Sequence, residues 1–320
     1  MTSGTVSAEQ KLDVYFYEAF EEETEALRRH LPKDWRVGFT GKTIQEAGDT
    51  EPPARLISIR TQSTIPSEWM TKLSGVLSRT TGYDTVRGLK APCGYLPSYC
   101  SRAVAEQAML LWMALLRKLP LQMQHFTNFN RDALTGLECA GKKLLVVGVG
   151  NVGSEIVKIG LALGMTVRGV DILQRHPFVT YVSAQEGLPW AEIIVCAMNL
   201  TPANVGYFNY ALLKRAHPGV FFVNVARGEH APTADLVRLL DEGHLAGAAL
   251  DVYENEGALA TALRAGKRKF PLLGRSNVIL TPHNAFNTRE AVERKAEQST
   301  QQIEQFLKHG EFIWPVPVGK

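Results

Sequence analysis

Lys143-Leu-Leu-Val-Val-Gly148-Val-Gly150-Asn-Val-Gly153-Ser-Glu-Ile-Val-Lys-Ile159 is the stretch on which the reading of this chain turns. An apolar strand runs into three glycines spaced G-x-G-x-x-G, and a helical pattern follows. Each glycine has its own task. Gly148 permits a tight turn, Gly150 lets a pyrophosphate approach the backbone, and Gly153 lets helix and strand pack closely. Asn151 and Val152 fall inside the same loop, and the helix that opens there offers N–H groups and positive dipole to phosphates. A second strand, Thr166–Val170, ends in Asp171. A carboxylate at that distance accepts hydrogen bonds from the adenosine ribose and repels a 2′-phosphate, so the expected cofactor is NAD rather than NADP. Arg168 and Arg175 flank the acid and leave some NADP tolerance open.

Working outward, further strands are expected at Ile193–Cys196, Val220–Val225, Ala248–Val252 and Val278–Thr281, with helices such as Asp235–Glu242 between most of them. Six strands in this rhythm predict a doubly wound sheet. Upstream, Ala103–Leu119 reads as a long apolar helix stopped by Pro120 and linking two domains. The first hundred residues alternate strands (Lys11–Tyr17, Trp35–Thr40, Arg55–Arg60, Val76–Ser78) with helix, which argues for a second parallel α/β sheet. The acidic run Glu21–Glu23 reads as the solvated face of a helix over Tyr17–His30. The last stretch, Thr288–His309, has helical spacing and is expected to cross back to the first domain.

Composition agrees with this organisation without pointing to chemistry. The 320 residues are enough for two domains, and 45% hydrophobic content supplies two cores. A net charge of +3 gives no ground for a nucleic-acid or membrane partner. No apolar run is long enough to span a bilayer, and Met1–Gln10 lacks a signal peptide's apolar stretch, so a cytoplasmic location is expected. Cys93, Cys100, Cys139 and Cys196 are scattered, which argues against a disulfide framework or a zinc site; no metal is expected.

In open α/β sheets ligands gather at the carboxyl ends of the strands. There the sequence places Asn224-Val-Ala226-Arg227-Gly228, then Asp251-Val-Tyr-Glu254-Asn-Glu256, then Thr281-Pro-His283-Asn284. Ala226 and Asp251 are read as cofactor contacts. The other side chains suit reduction of a 2-oxo acid. Arg227 offers a rigid donor fork to carboxylate and carbonyl. His283 can give up a proton near neutral pH, and a carboxylate, Glu254 or Glu256, can orient it. Singly, each has an ordinary alternative as a surface or turn residue; on consecutive strands beside a nucleotide loop they form a set.

With these blocks in hand, the chain resembles the D-isomer-specific 2-hydroxyacid dehydrogenases, and most the D-lactate dehydrogenase branch. The resemblance rests on Gly148–Gly153 with Asp171, Asn224–Gly228, Gly247–Glu256 and Leu280–Thr288; Pro282-His-Asn-Ala-Phe286 is especially like the lactate branch. It implies an α/β protein of two doubly wound parallel-sheet domains. One is a flavodoxin-like substrate domain over 1–101 and 289–320, the other a Rossmann NAD-binding domain over 102–288. It implies that Arg227 anchors substrate, Glu256 pairs with the histidine, and His283 is the acid/base. Thr81 and Gly82, in Arg79-Thr-Thr-Gly-Tyr-Asp84, would bind the substrate carboxylate through backbone N–H groups. Tyr99 and Phe286 would contact substrate, although both read equally well as core aromatics. A homodimer is implied as well. Two departures stand out: Ala197-Met-Asn199 replaces a usual His-x-Pro and makes that wall more apolar, and Gly257 follows Glu256 where many relatives have proline. The alternative to an enzyme is an NAD(H)-sensing interaction protein on the same fold.

Overall fold

The computed structural model describes residues 12–267 and 269–317. The chain forms two compact units, Met1–Tyr99 with Thr288–Lys320, and Cys100–Asn287.

The first unit carries β1 (Val14–Phe16), β2 (Val37–Phe39), β3 (Leu56–Ile59), β4 (Gly75–Ser78) and β5 (Cys93–Gly94), all parallel in the order β2-β1-β3-β4-β5. That is the flavodoxin-like order. β3 and β4 are buried along their whole length, because strands covered on both faces read as unbroken apolar runs. Helix α1 (Glu21–His30) follows β1, and the four-residue α2 (Ile44–Ala47) follows β2.

The second unit opens with α3 (Ser101–Leu116) and α4 (Leu119–His125). Its strands are β6 (Lys143–Val147), β7 (Thr166–Val170), β8 (Ile193–Cys196), β9 (Val220–Asn224), β10 (Leu245–Leu250) and β11 (Val278–Leu280). Between them lie α5 (Asn151–Ala162), α6 (Ala184–Trp190), α7 (Tyr210–Leu213), α8 (Thr233–Asp241) and α9 (Glu256–Arg264). All strands pair in parallel, in the order β11-β10-β9-β8-β6-β7. A lone parallel bridge, Gly169 to Tyr181, lies beyond β7. Counting it as a vestigial strand restores the Rossmann order, in which the chain reverses direction across the sheet beside the glycine-loop strand. The switch point therefore falls between β6 and β8.

Helix α10 (Arg289–His309) returns to the first unit. Thr288 caps it by accepting from the Ala291 N–H, and Gly310 ends it at φ 74°, a left-handed stop suited to glycine.

Three sequence expectations need correction. Pro120 does not stop the long helix: the chain turns at Lys118, φ 52°, and Pro120 sits in the first turn of α4, where its missing N–H has no role to fill. The helix after β1 starts at Glu21, not Tyr17. The acidic run is not wholly solvated, because Glu23 lies on the buried face of α1 with Ala26 and Leu27. Lys11, the expected start of the first strand, and Met1–Gln10 lie outside the described residues.

Candidate active site

The glycine loop follows β6 and opens α5. Gly148 has φ 91°, and a Cβ there would meet the Ala197–Met198 backbone at 2.6–2.7 Å. At Gly153 a Cβ would lie 1.9 Å from the Gly148 carbonyl oxygen. Gly150 faces open space. This is the arrangement phosphates need: two glycines compelled by packing, and one leaving a clear approach to the backbone at the mouth of a 12-residue helix. Asn151 and Val152 begin that helix.

Asp171 leaves β7 and points back at this loop. Its Oδ2 accepts from the Val149 N–H at 2.6 Å, and Oδ1 from the Leu173 N–H at 2.8 Å. A carboxylate has about four acceptor sites, so capacity remains for ribose hydroxyls while the acid braces the loop. Of the flanking arginines, Arg168 stacks its guanidinium 4.3 Å above the Trp190 ring, and Arg175 is exposed.

At the ends of β9, β10 and β11 the structure joins several predicted residues directly. His283 Nδ1 lies 2.7 Å from Glu256 Oε1, both side chains about one-fifth exposed. His283 holds φ 51°, an uncommon conformation for a non-glycine residue. Asp251 maintains it. This buried carboxylate accepts from Thr281 Oγ1 at 2.5 Å, and from the N–H groups of Asn284 and Ala285 at 2.9 Å. Burial pushes the Asp251 carboxyl upward in pKa, against those three hydrogen bonds and the nearby His283. Asp251 was expected at the cofactor; here its carboxylate builds the turn that carries His283.

Glu254 and Glu256 part company. Glu254 Oε2 accepts from the Thr233 N–H at the start of α8, so it serves a helix terminus. Glu256 alone of the two is bonded to the imidazole. Arg227 is half-buried, with Nη1 donating to the Ala226 carbonyl at 2.9 Å. The next residue, Gly228, has a task that the sequence block does not disclose: a Cβ there would lie 1.8 Å from the Tyr253 carbonyl carbon. Only glycine lets the Arg227 loop press against the 253–254 loop. Ala226 is buried, its N–H taken by Asn224 Oδ1. Ala197 donates its N–H to Val147 across the switch point, and the Asn199 carbonyl accepts from Asn204 Nδ2. Phe286 and Ala285 are buried after the His283 turn.

In the first unit, Thr81 and Gly82 are half-buried in the turn after β4, which Thr80 Oγ1 closes by donating to the Gly82 carbonyl. Tyr99 is buried, its carbonyl accepting from Arg294 Nε at 2.9 Å. Beneath this turn lies an ion cluster that sequence reading missed. Glu23, Arg79 and Lys295 have fully buried side chains. Glu23 Oε1 accepts from Arg79 Nε at 2.9 Å and pairs with Lys295 Nζ at 2.7 Å. Burial is the largest influence on Glu23 and opposes ionisation, but Arg79, Lys295 and Arg60 together outweigh it and hold the carboxyl down at about 2. Among the described residues, no group of three or more His, Cys, Asp or Glu is placed to hold a metal ion. The buried Cys196 thiol is pushed up to about 12 by burial, unsuited to thiolate chemistry.

Comparison with known proteins agrees with this fold. The family model for the D-isomer specific 2-hydroxyacid dehydrogenase NAD binding domain matches residues 109–285, more than half of the chain. D-3-phosphoglycerate dehydrogenase of Bacillus subtilis is 34% identical over 218 residues, 64% of this chain and 39% of that protein, so the chain spans about two-fifths of that relative. An aromatic 2-oxoacid reductase of Clostridium sporogenes is 28% identical over 244 residues, 71% of this chain and 72% of the relative. The solved structure of a D-lactate dehydrogenase from Aquifex aeolicus, complexed with NAD and lactic acid, superposes with a TM-score of 0.82 at 25% identity, covering 96% of this chain and 99% of that one. With the matched glycine loop, the acid after β7 and the doubly wound sheets, the chain belongs to the NAD-dependent D-isomer-specific 2-hydroxyacid dehydrogenases.

Proposed function

We propose that the chain reduces a small 2-oxo acid to its D-2-hydroxy acid in the manner of the D-lactate dehydrogenases. The observation that carries the reading is the 2.7 Å pair of His283 and Glu256 on a turn held by Asp251, beside the Arg227 loop that Gly228 permits. NAD(H), held by Gly148, Gly150, Asn151, Val152, Gly153 and Asp171, supplies or accepts the hydride when bound. His283 donates the proton that the new hydroxyl requires and takes it back in the reverse direction. Glu256 fixes the imidazole through Nδ1, leaving Nε2 to face the reacting oxygen. Arg227 holds the substrate's carboxylate and carbonyl with its donor fork and stabilises charge developing on that oxygen. Thr81, Gly82 and Tyr99 are the first unit's candidates for substrate contact, and Phe286 is a further candidate in the second unit.

Exposed Leu119, Met123, Phe126 and Phe129 crowd the segment of α4 and the turn after it. An apolar group of this kind supports the expectation of a homodimer, and a cytoplasmic location goes with the family reading. Among the described residues no helix is long and apolar enough to cross a membrane.

The deciding experiment is NADH and NADPH oxidation by the purified chain over a panel of 2-oxo acids, with His283→Ala alongside. NADH-driven reduction is expected, with a loss of about 10²–10⁴-fold in kcat for His283→Ala and little change in NADH affinity. NADH binding without turnover on any 2-oxo acid would transfer the case to a sensing role.

A further inference from the structure

The loop that carries Arg227 holds a second histidine, outside the His283 pair. His230 is fully buried, three residues past Arg227, at the end of the 3₁₀ turn Gly228–His230. Its Nδ1 lies 3.1 Å from the Arg227 carbonyl oxygen. A carbonyl only accepts, so Nδ1 carries the proton and donates it. The same oxygen accepts from Asn224 Nδ2 at 2.8 Å and from the His230 backbone N–H at 3.3 Å. Asn224 is buried at the end of β9, and its Oδ1 takes the Ala226 N–H at 3.0 Å. Two side chains, one before Arg227 and one after it, thus converge on one peptide oxygen.

His230 is itself anchored from behind. Its carbonyl accepts from the Phe208 N–H at 2.8 Å, and the Glu229 carbonyl accepts from the Gly206 N–H at 2.7 Å. The ring therefore reaches Arg227 from a turn tied to the 206–208 segment. On another side Gly228 presses against the Tyr253–Glu254 backbone. Arg227 is extended, with φ −142° and ψ 145°. Holding the peptide plane that follows it from both sides blocks the rotation about ψ, and that rotation would swing the Cα–Cβ bond and the guanidinium with it. The Asn224 bond already keeps the Arg227 oxygen from being buried without a partner. What the imidazole adds is therefore direction more than hydrogen-bond satisfaction.

We propose that His230 is a positioning residue for the substrate arginine: its Nδ1–H clamps the Arg227 carbonyl and so fixes the direction in which the guanidinium meets the 2-oxo acid. The assignment rests on the dehydrogenase reading above and on the role given there to Arg227. A bidentate grip on a carboxylate depends on the angle of the fork as well as on its reach, so a small swing of the Arg227 stem is costly. Displacing a positioned group by about an ångström can cost up to about a hundredfold in rate. The glycine loop follows a different strand, β6, so NADH affinity does not depend on the clamp.

The test replaces the ring in two ways and reads kinetics on the 2-oxo acid that the wild-type chain reduces best. His230→Leu fills the site without a donor and should lower kcat/KM for the 2-oxo acid by about tenfold or more, with the Kd for NADH within about twofold of wild type. His230→Asn places an amide N–H near the position of Nδ1 and should recover most of the loss. In an Arg227→Lys background, His230→Leu should cost much less, because a residue that acts through Arg227 has little left to position. Unchanged kcat/KM in the leucine variant, equal losses in the leucine and asparagine variants, a parallel loss of NADH affinity, or a full further loss on top of Arg227→Lys overturns the assignment and leaves the dehydrogenase reading intact. Failure of every 2-oxo acid to oxidise NADH with the wild-type chain overturns the reading beneath it. Should the leucine variant not fold, the imidazole ¹⁵N shifts of the wild-type chain decide, with His230 assigned as the signals missing from His230→Asn. A protonated Nδ1 is expected, and a bare Nδ1 overturns the clamp.

Discussion

His283 sits at φ 51° on a turn whose N–H groups converge on Asp251. A non-glycine residue persists there only when its surroundings hold it. The geometry also separates two glutamates that the sequence left as alternatives, and that separation can be measured. Glu256→Gln removes the acceptor that fixes the imidazole, so kcat should fall roughly a hundredfold with NADH affinity retained. Glu254→Gln weakens a contact at the start of α8, so it should cost about 1 kcal/mol of stability in urea unfolding and leave kcat nearly unchanged. The reverse pattern would mean that the wrong carboxylate has been paired with the histidine. The resemblance had already favoured Glu256; the residues alone could not, because both lie within one short loop and only a side-chain direction distinguishes them. Gly228 was beyond reach for a related reason. Its necessity comes from the 253–254 backbone pressed against it, and no local pattern records that approach.

At the scale of elements, Glu23 of α1 and Lys295 of α10 meet Arg79, just beyond β4, in a fully buried ion cluster. Glu23→Gln leaves two cations facing each other without their shared anion, and should destabilise the protein by about 3–5 kcal/mol. Lys295→Met leaves Glu23 paired with Arg79 and should be tolerated. The pH dependence separates them further. Lys295 is held at about 7 in the folded chain by burial, so between pH 7 and the ordinary lysine range the unfolded chain binds a proton the folded chain has released. Stability contributed at this position therefore rises with pH across that window, and Lys295→Met should remove the rise. Glu23, held at about 2, acts at the other end: its contribution is lost as pH falls from the ordinary carboxylate range toward 2. Urea unfolding at pH 7, 8 and 9 at fixed ionic strength reads the first effect. Glu23 was legible only in part. The run Glu21–Glu23 signals charge, whereas the stripe of Glu23, Ala26 and Leu27 at helical spacing signals a buried face, and the stripe prevailed because Arg79 and Lys295, remote in sequence, meet it there. The strands of the second unit were legible within a few residues, since parallel strands buried on both faces announce themselves as apolar runs. The Tyr181 bridge was not, because a strand reduced to one pair has no period to read.

For the whole molecule, the decisive fact is that each unit has its own parallel sheet and core, with the cofactor loop confined to one of them. Composition could say only that there was material for two cores; it took the switch point after β6 and the return of α10 to say which residues belong to which. A ligand that binds only the native state stabilises what it touches by an amount that grows with its concentration over Kd, about 2.7 kcal/mol at a hundredfold excess. NADH should therefore protect unevenly. In hydrogen exchange followed by mass spectrometry, peptides covering 143–153 and 166–173 should slow on adding saturating NADH, because Gly148–Gly153 and Asp171 are the proposed cofactor contacts. Peptides covering β1, β2 and β3 should change little, since they lie in the sheet that offers no nucleotide loop. Protection of β1–β3 by NADH alone, equal to that of the glycine loop, would show instead that the two cores open as one cooperative body, and the separate roles assigned to them would have to be withdrawn.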